Sequence, residues 1–130
     1  MTPEQLPPSF AQEVNNLCID FDGVIHNDHL GFYDGTCYGT PMPGSLKSLR
    51  RWSKQYKIII FTAKAKPNRP LVQGKTGTEL VWEWLKKHNV DDCVTEVTSE
   101  KPRGFLYIDD NGYRFINWDD ANKFIIELKG

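Results

Sequence analysis

The chain has 130 residues, a length that suits a single domain. Its composition, 39% hydrophobic and 25% charged residues, is ordinary for a soluble globular protein. The formal net charge of −1 gives no global positive field, so the charge does not indicate a nucleic-acid-binding protein, although a local basic patch stays open.

The spacing of the cysteines and the composition of the N-terminal segment indicate the cellular compartment that we expect for the protein. Cys18, Cys37 and Cys93 form no CxxC pair, and their odd number argues against a zinc site or a disulfide framework, so we expect reduced thiols. The polar segment 1–12 lacks the basic and apolar regions of a secretory signal. No apolar run is long enough to cross a bilayer. We therefore expect a cytoplasmic protein with no membrane partner.

Apolar runs predict the strands of the fold. Residues 1–14 carry three prolines and few apolar side chains, so we expect a poorly ordered arm there and one domain over residues 15–130. Continuous apolar runs suit parallel strands that are buried on both faces. Such runs lie at residues 17–19, 58–61, 93–97 and 105–108, and three of them lead directly into Asp20, Thr62 or Asp109.

Helical signals lie between and after the strands. Apolar residues recur at helical spacing from Leu46 to Tyr56, and Thr76 with Glu79 forms a capping box at the start of a second helix. Asn117 is predicted to cap a last helix with an apolar stripe. Core or rim packing is expected for the four tryptophans, Trp52, Trp82, Trp84 and Trp118. This order of elements predicts an α/β fold with a mainly parallel sheet.

Polar side chains gather at the carboxyl ends of the predicted strands, where ligands of open parallel sheets bind. They are Asp20, Asp22, Thr62, Asp109 and Asp110, with Lys101 just before the last strand. Crowded carboxylates need a cation, and Mg²⁺ suits a site with few carboxylates and room for phosphate. A nearby lysine can stabilise a phosphoryl group. The cluster therefore indicates phosphoryl chemistry with Mg²⁺.

These residues also form four motifs in a known order. Residues 19–24 (IDFDGV) resemble the first motif of the haloacid dehalogenase (HAD)-like superfamily, and residues 61–63 (FTA) resemble its second. Lys101 lies where the third-motif lysine would be, and residues 108–112 (IDDNG) resemble the fourth motif. The motifs span residues 16–112, which is most of the chain. The resemblance implies a Rossmann-like three-layer sandwich around the sheet.

The resemblance further implies a role for each residue. Asp20 would attack the substrate phosphorus and carry an aspartyl-phosphate, and Asp22 would be the general acid and base. The phosphate-binding set would be Thr62, Ala63, Lys101 and Gly23. The Mg²⁺ ligands would be Asp20, Asp22 through its backbone carbonyl, Asp109 and Asp110. The activity implied is hydrolysis of a phosphomonoester.

The connection between the first two strands is too short for a cap domain, so the chain resembles a capless family member. Residues 26–41 form a candidate lid. His26 and His29 lie in this segment, and we expect them to face solvent rather than to contact substrate.

The basic residues after the second motif have two interpretations. Lys64, Lys66 and Arg69 either recruit an anionic substrate or keep a loop solvated. The expected substrate is a phosphorylated small molecule or a phosphorylated polymer end. The sequence leaves a homo-oligomer open, in which another subunit supplies a lid.

Two alternative functions remain. A receiver domain also places acidic residues, a threonine and a lysine around Mg²⁺, but its acidic pair comes first in the chain, whereas here the pair comes last. It would also lack repeated turnover. A catalytically silent HAD-like binding protein is the second alternative, although every catalytic position is filled.

Overall fold

The computed structural model of the protein describes residues 15–31, 33–100, 106–109 and 113–129. The arm predicted at residues 1–14 lies outside this part of the chain. Within the described part, strands and helices alternate in an α/β arrangement with a parallel sheet, which confirms the fold class expected from the sequence. The three-layer arrangement and the absence of a cap stay predictions.

A parallel sheet forms the centre of the fold. In chain order its strands are β1 (Asn16–Asp20), β2 (Lys57–Phe61), β3 (Glu96–Thr98), β4 (Leu106–Asp109) and β5 (Tyr113–Arg114). Their order across the sheet is β3-β2-β1-β4-β5, and each neighbouring pair is parallel. Strand β1 is therefore central, with β2 on one side and β4 on the other.

The apolar sequences of β1 and β2 explain their central position. Three consecutive side chains are buried in each strand: Leu17, Cys18 and Ile19 in β1, and Ile58, Ile59 and Ile60 in β2. Successive side chains of a strand point to opposite faces of the sheet. The burial of consecutive positions therefore means that both faces of the sheet are covered, as expected for parallel strands.

Two strands differ from the prediction. The apolar run at residues 93–97 predicted a strand, but β3 begins only at Glu96, because a 3₁₀ turn at Asp91–Cys93 comes first. In this turn the backbone N–H of Val94 donates to the carbonyl of Asp91 at 3.3 Å. Strand β5 was not predicted, since a run of 2 residues gives no periodic signal.

Three helices occur in the described part of the chain. Two of them begin at predicted capping residues, whereas the first ends at Trp52, short of Tyr56, to which the apolar spacing extended. The three helices are α1 (Ser45–Trp52), α2 (Gly77–Lys87) and α3 (Trp118–Lys129). The capping box of α2 is present, because the Glu79 N–H donates to Thr76 Oγ1 at 3.1 Å and the Thr76 N–H donates to Glu79 Oε1 at 3.1 Å. Asn117 caps α3 by accepting the Asp120 N–H at 2.8 Å.

The three helices share one hydrophobic core with a face of the sheet. The sheet contributes Leu17, Ile19, Ile58, Ile60 and Ile108, and the helices contribute Leu49, Trp52, Val81, Trp84, Leu85, Trp118, Ala121 and Ile125. The burial of three tryptophans and the partial burial of Trp82 confirm their predicted packing roles. No disulfide joins the three cysteines, all of which are described. In the described ranges, no helix is long and apolar enough to span a bilayer.

The long connection at residues 21–42 is partly core. Phe21, Ile25 and His26 are fully buried. The Asn27 N–H donates to the Thr40 carbonyl at 2.9 Å, so the two ends of the connection are tied together. Both ends of the predicted loop are therefore held in place, by burial of its first residues and by the hydrogen bond between Asn27 and Thr40.

Candidate active site

The carboxyl ends of β1, β2 and β4 bring three predicted site residues to one edge of the sheet. Asp20 pairs with Phe61, the last residue of β2, and Thr62 follows directly after it. The register of β1 with β4 places the backbone of Asp109 level with Asp20. Neighbouring strands are about 4.8 Å apart. The candidate nucleophile therefore lies between a predicted phosphate-binding residue and a predicted metal ligand.

The Asp20 carboxylate has a fixed orientation at the end of β1. The side chain is half-buried, and its Oδ1 accepts a hydrogen bond from the Phe21 N–H at 2.8 Å. This bond restricts rotation of the carboxylate. An attacking group that is already oriented loses less entropy when it reacts.

A tight turn after β1 brings Asp22 beside His26. The carbonyl of Phe21 accepts the N–H groups of Ile25 and His26, both at 2.9 Å. Gly23 has a φ of 81°, which favours glycine, and its N–H donates to the His26 carbonyl at 2.8 Å. The amide of Gly23, which was predicted to belong to the phosphate-binding set, is thus engaged within the turn.

Both oxygens of the Asp22 carboxylate have a partner. Oδ1 lies 2.9 Å from Nδ1 of His26, and Oδ2 lies 3.5 Å from Nζ of Lys64. The Asp22 side chain is 28% exposed, whereas that of Lys64 is 5% exposed and that of His26 is fully buried. The candidate acid-base group is therefore held in place and still open to solvent.

The burial of His26 contradicts the expectation that both loop histidines face solvent. Its ring stacks on Phe21, with centroids 5.0 Å apart and planes 2° apart. The rings of Tyr38 and Trp84 meet it edge-on at 5.3 and 5.6 Å. Trp84 is far away in the sequence, so the neighbours of His26 along the chain do not reveal this burial. His29 is exposed, as expected.

Lys64 is a site residue that the sequence left undecided. Thr62 caps the 3₁₀ turn Ala63–Ala65, and its Oγ1 accepts the Lys64 N–H at 3.3 Å. The turn buries the Lys64 side chain beside Asp22, whereas Ala63 stays exposed. The position of Lys64 three residues after the end of β2, which leads into the site, is the one sequence signal that could have identified it.

Helix α2 begins against the backbone of Lys64. A Cβ atom at Gly77 would lie 1.7 Å from the Lys64 carbonyl oxygen, so a larger residue does not fit there. The interpretation that the basic residues only keep the loop solvated is therefore wrong for Lys64, whose side chain is buried. The same interpretation agrees with Lys66 and Arg69, whose side chains are exposed.

A cleft of ≈ 220 Å³ opens beside Lys64. Its walls are formed by Asp34, Gly35, Lys64, Arg69, Pro70, Val72 and Gly77. A hydrogen bond from the Thr36 hydroxyl lowers the pKa of Asp34, because it stabilises the ionised carboxylate. The cleft thus combines apolar surface with one carboxylate and two cations, and Lys64 links it to Asp22.

Cys37, in the connection at residues 21–42, is a poor nucleophile. Burial raises the pKa of its thiol to about 12, and the nearby Lys64 charge opposes this only in part. A thiol with this pKa stays protonated at neutral pH and is inert.

Several predicted site residues fall outside the described part of the chain. Lys101 and Asp110 lie outside it, and of Asp109 only the backbone position in β4 is described. Among the described side chains, no group of three or more His, Cys, Asp or Glu residues is arranged to hold a metal ion. The Mg²⁺ site therefore stays a prediction that depends on Asp109 and Asp110.

Comparison of the chain with known families, curated proteins and solved structures identifies no relative. The chain matches no family model, no curated protein and no solved structure. The resemblance to the HAD-like superfamily rests on the sequence motifs and stays a prediction.

Proposed function

We propose that this protein is a magnesium-dependent phosphatase that hydrolyses a phosphomonoester through an aspartyl-phosphate on Asp20. The alignment of Asp20 with Thr62 and Asp109 at one edge of a parallel sheet, followed by Asp22, carries the proposal. The order of the four motifs supports the same function. In this proposal the domain is HAD-like, three-layered and without a cap.

The first half of the reaction would transfer the phosphoryl group to Asp20. A carboxylate oxygen of Asp20 attacks phosphorus, and the bond between phosphorus and the leaving oxygen breaks. Protonated Asp22 gives its proton to the leaving oxygen, so the product departs as an alcohol. The hydrogen bond between Asp20 and the Phe21 N–H supports this step, because it fixes the attacking group.

The second half would release inorganic phosphate. Asp22, now a carboxylate, takes a proton from water, and the water oxygen attacks phosphorus. The bond from phosphorus to Asp20 breaks, which restores the Asp20 carboxylate and the protonated Asp22. Thr62 accepts the Lys64 N–H and can still donate its own hydroxyl hydrogen to a phosphoryl oxygen. The Lys64 ammonium adds positive charge beside the same group.

The donor atoms at this edge suit Mg²⁺. The proposed ligands are oxygens of Asp20, Asp22, Asp109 and Asp110. His26 is not a ligand, because its two ring nitrogens already contact Asp22 and Gly39. An all-oxygen set favours Mg²⁺ over Zn²⁺, which prefers nitrogen and sulfur. When bound, the ion would neutralise charge that develops on the phosphoryl oxygens.

The cleft beside Lys64 is proposed to hold the leaving group. Asp22 donates to the leaving oxygen, so the rest of the leaving group must begin close to Asp22. Lys64 contacts Asp22 and also lines the cleft. A volume of ≈ 220 Å³ suits a compact organic group, either a small metabolite or the terminal unit of a phosphorylated polymer.

A substrate screen tests this function. Phosphorylated metabolites and phosphorylated oligonucleotide ends are incubated with the protein and Mg²⁺, with Asp20→Asn as the blank, and released phosphate is measured over many turnovers. We expect repeated turnover that EDTA stops and Mg²⁺ restores. A single stoichiometric phosphorylation would favour a receiver domain, and no reaction with any compound would favour a silent binding protein.

A further inference from the structure

We propose that His26 is a positioning residue for Asp22. It is held by the backbone of Gly39 as the tautomer with hydrogen on Nδ1, and it directs the Asp22 carboxylate toward the leaving oxygen. The inference rests on the proposed function, because it assigns Asp22 a proton to transfer. It does not depend on any change in the charge of His26.

The hydrogen bonds of the His26 ring determine its tautomer. The Gly39 N–H lies 2.8 Å from Nε2, and a backbone N–H can only donate, so Nε2 must accept. A neutral imidazole has one accepting nitrogen and one donating nitrogen. The hydrogen is therefore on Nδ1, which donates to Oδ1 of Asp22 at 2.9 Å.

The surroundings prevent the ring from turning away. Phe21 stacks on one face of His26, and the protein encloses the ring completely. Gly39 is itself anchored, because its carbonyl accepts the Trp84 indole N–H at 2.9 Å. A Cβ atom at Gly39 would lie 1.8 Å from the Asn27 carbonyl oxygen, so only glycine brings this amide so close. A continuous set of contacts thus runs from Trp84 to Asp22.

The contact with His26 fixes which carboxylate oxygen is available for chemistry. Oδ1 of Asp22 receives the imidazole hydrogen, while Oδ2 lies on the side of Lys64 and the cleft. Proton transfer requires a donor at hydrogen-bonding distance and in line with the acceptor. An Asp22 side chain that can rotate would therefore protonate the leaving oxygen less often.

Two substitutions separate the contacts of His26. Asparagine at this position places an amide NH₂ near the former Nδ1, which retains a donor for Asp22 but loses the acceptor for Gly39. Glutamine places its terminal amide near the former Nε2, which retains an acceptor for Gly39 but loses the donor for Asp22. The rates of His26→Asn, His26→Gln and Asp22→Ala are measured on an alkyl phosphate and on p-nitrophenyl phosphate.

The two substrates differ in how much they need an acid. An alkoxide is a poor leaving group and depends on protonation, whereas p-nitrophenolate departs readily without it. The rates compared are kcat/KM values, because these report only the first half of the reaction, in which the leaving group departs. We expect His26→Gln to reduce kcat/KM on the alkyl phosphate by about 10²-fold, toward the Asp22→Ala value, and on p-nitrophenyl phosphate by only about threefold. His26→Asn should keep the wild-type ratio of the two rates even if it is less stable. Equal losses on both substrates for both variants would show a structural role only and overturn the inference.

A second measurement does not need activity. Long-range ¹H–¹⁵N NMR of the wild-type histidines distinguishes the two tautomers, and we expect His26 to carry its hydrogen on Nδ1 and its signal to move in Asp22→Asn. Hydrogen on Nε2 would overturn the inference even in an active enzyme. An enzyme without Asp20-dependent hydrolysis would instead refute the proposed function, whatever the tautomer.

Discussion

Nζ of Lys64 lies 3.5 Å from Oδ2 of Asp22, in a position where the lysine side chain is only 5% exposed. A buried ammonium is costly unless a negative group compensates it. Asp22 supplies that charge in the described structure, and a phosphoryl group would supply it in the complex, where Asp22 carries the proton for the leaving oxygen. The proposed site therefore contains a cation in addition to the predicted Lys101.

Substitution of Lys64 should reduce catalysis. Lys64→Gln removes positive charge beside the phosphoryl oxygens, and we expect kcat/KM to fall by about 10²-fold, the scale seen when a charge-stabilising donor is removed. The matched control is Lys66→Gln, two residues away and exposed, which should stay within about twofold of the wild type. Equal rates for the two variants would exclude Lys64 from the site.

Trp84 should stabilise the loop that carries Gly39. Trp84→Phe leaves the Gly39 carbonyl without the indole N–H, which donates at 2.9 Å in a buried environment. We expect the free energy of unfolding to fall by about 1–3 kcal/mol, measured by urea denaturation. Trp82→Phe, a half-buried neighbour on the same helix, is the control and should cost less. A larger loss at Trp82 would contradict the role given to this hydrogen bond.

His88 should make the protein less stable in mild acid. Burial, with a smaller effect of the Lys87 charge, lowers the pKa of His88 from its ordinary value of 6.5. As the pH falls below 6.5, the unfolded chain binds a proton that the folded chain resists, so stability is full above this pH and is lost as pH approaches the folded-state pKa. His88→Gln should lose less stability between neutral pH and mild acid. An unchanged pH slope in urea denaturation would refute this.

Sequence patterns predicted the strands and the helix start well where the signal involved only residues that are close together in the chain. The apolar runs of β1 and β2 placed both strands within one residue of their observed bounds. The hydroxyl and carboxylate of Thr76 and Glu79 marked the start of α2, because a capping box involves only neighbouring residues. The sheet edge that gathers Asp20 and Thr62 followed from the rule for parallel strands.

The contacts that hold the proposed acid-base residue could not be predicted in the same way. His26 is enclosed by Phe21, Tyr38 and Trp84, and Trp84 is far away in the sequence. Lys64 is buried because the turn after Thr62 closes against Gly77 of α2. Such contacts depend on how separate elements pack, whereas hydrophobic periodicity reports only on one element at a time. The short strand β5 was missed for the related reason that it has too few residues to show a period.

The central claim is that Asp20 is the nucleophile of a magnesium-dependent phosphatase. The most direct test compares phosphate release from the best substrate of the screen, with Mg²⁺ present, by the wild type, Asp20→Asn and the exposed-site control Asp92→Asn. The account predicts that Asp20→Asn loses roughly 10³-fold or more of kcat while keeping its fold by circular dichroism, and that Asp92→Asn keeps its rate within about twofold. Wild-type turnover by a folded Asp20→Asn protein would contradict the account.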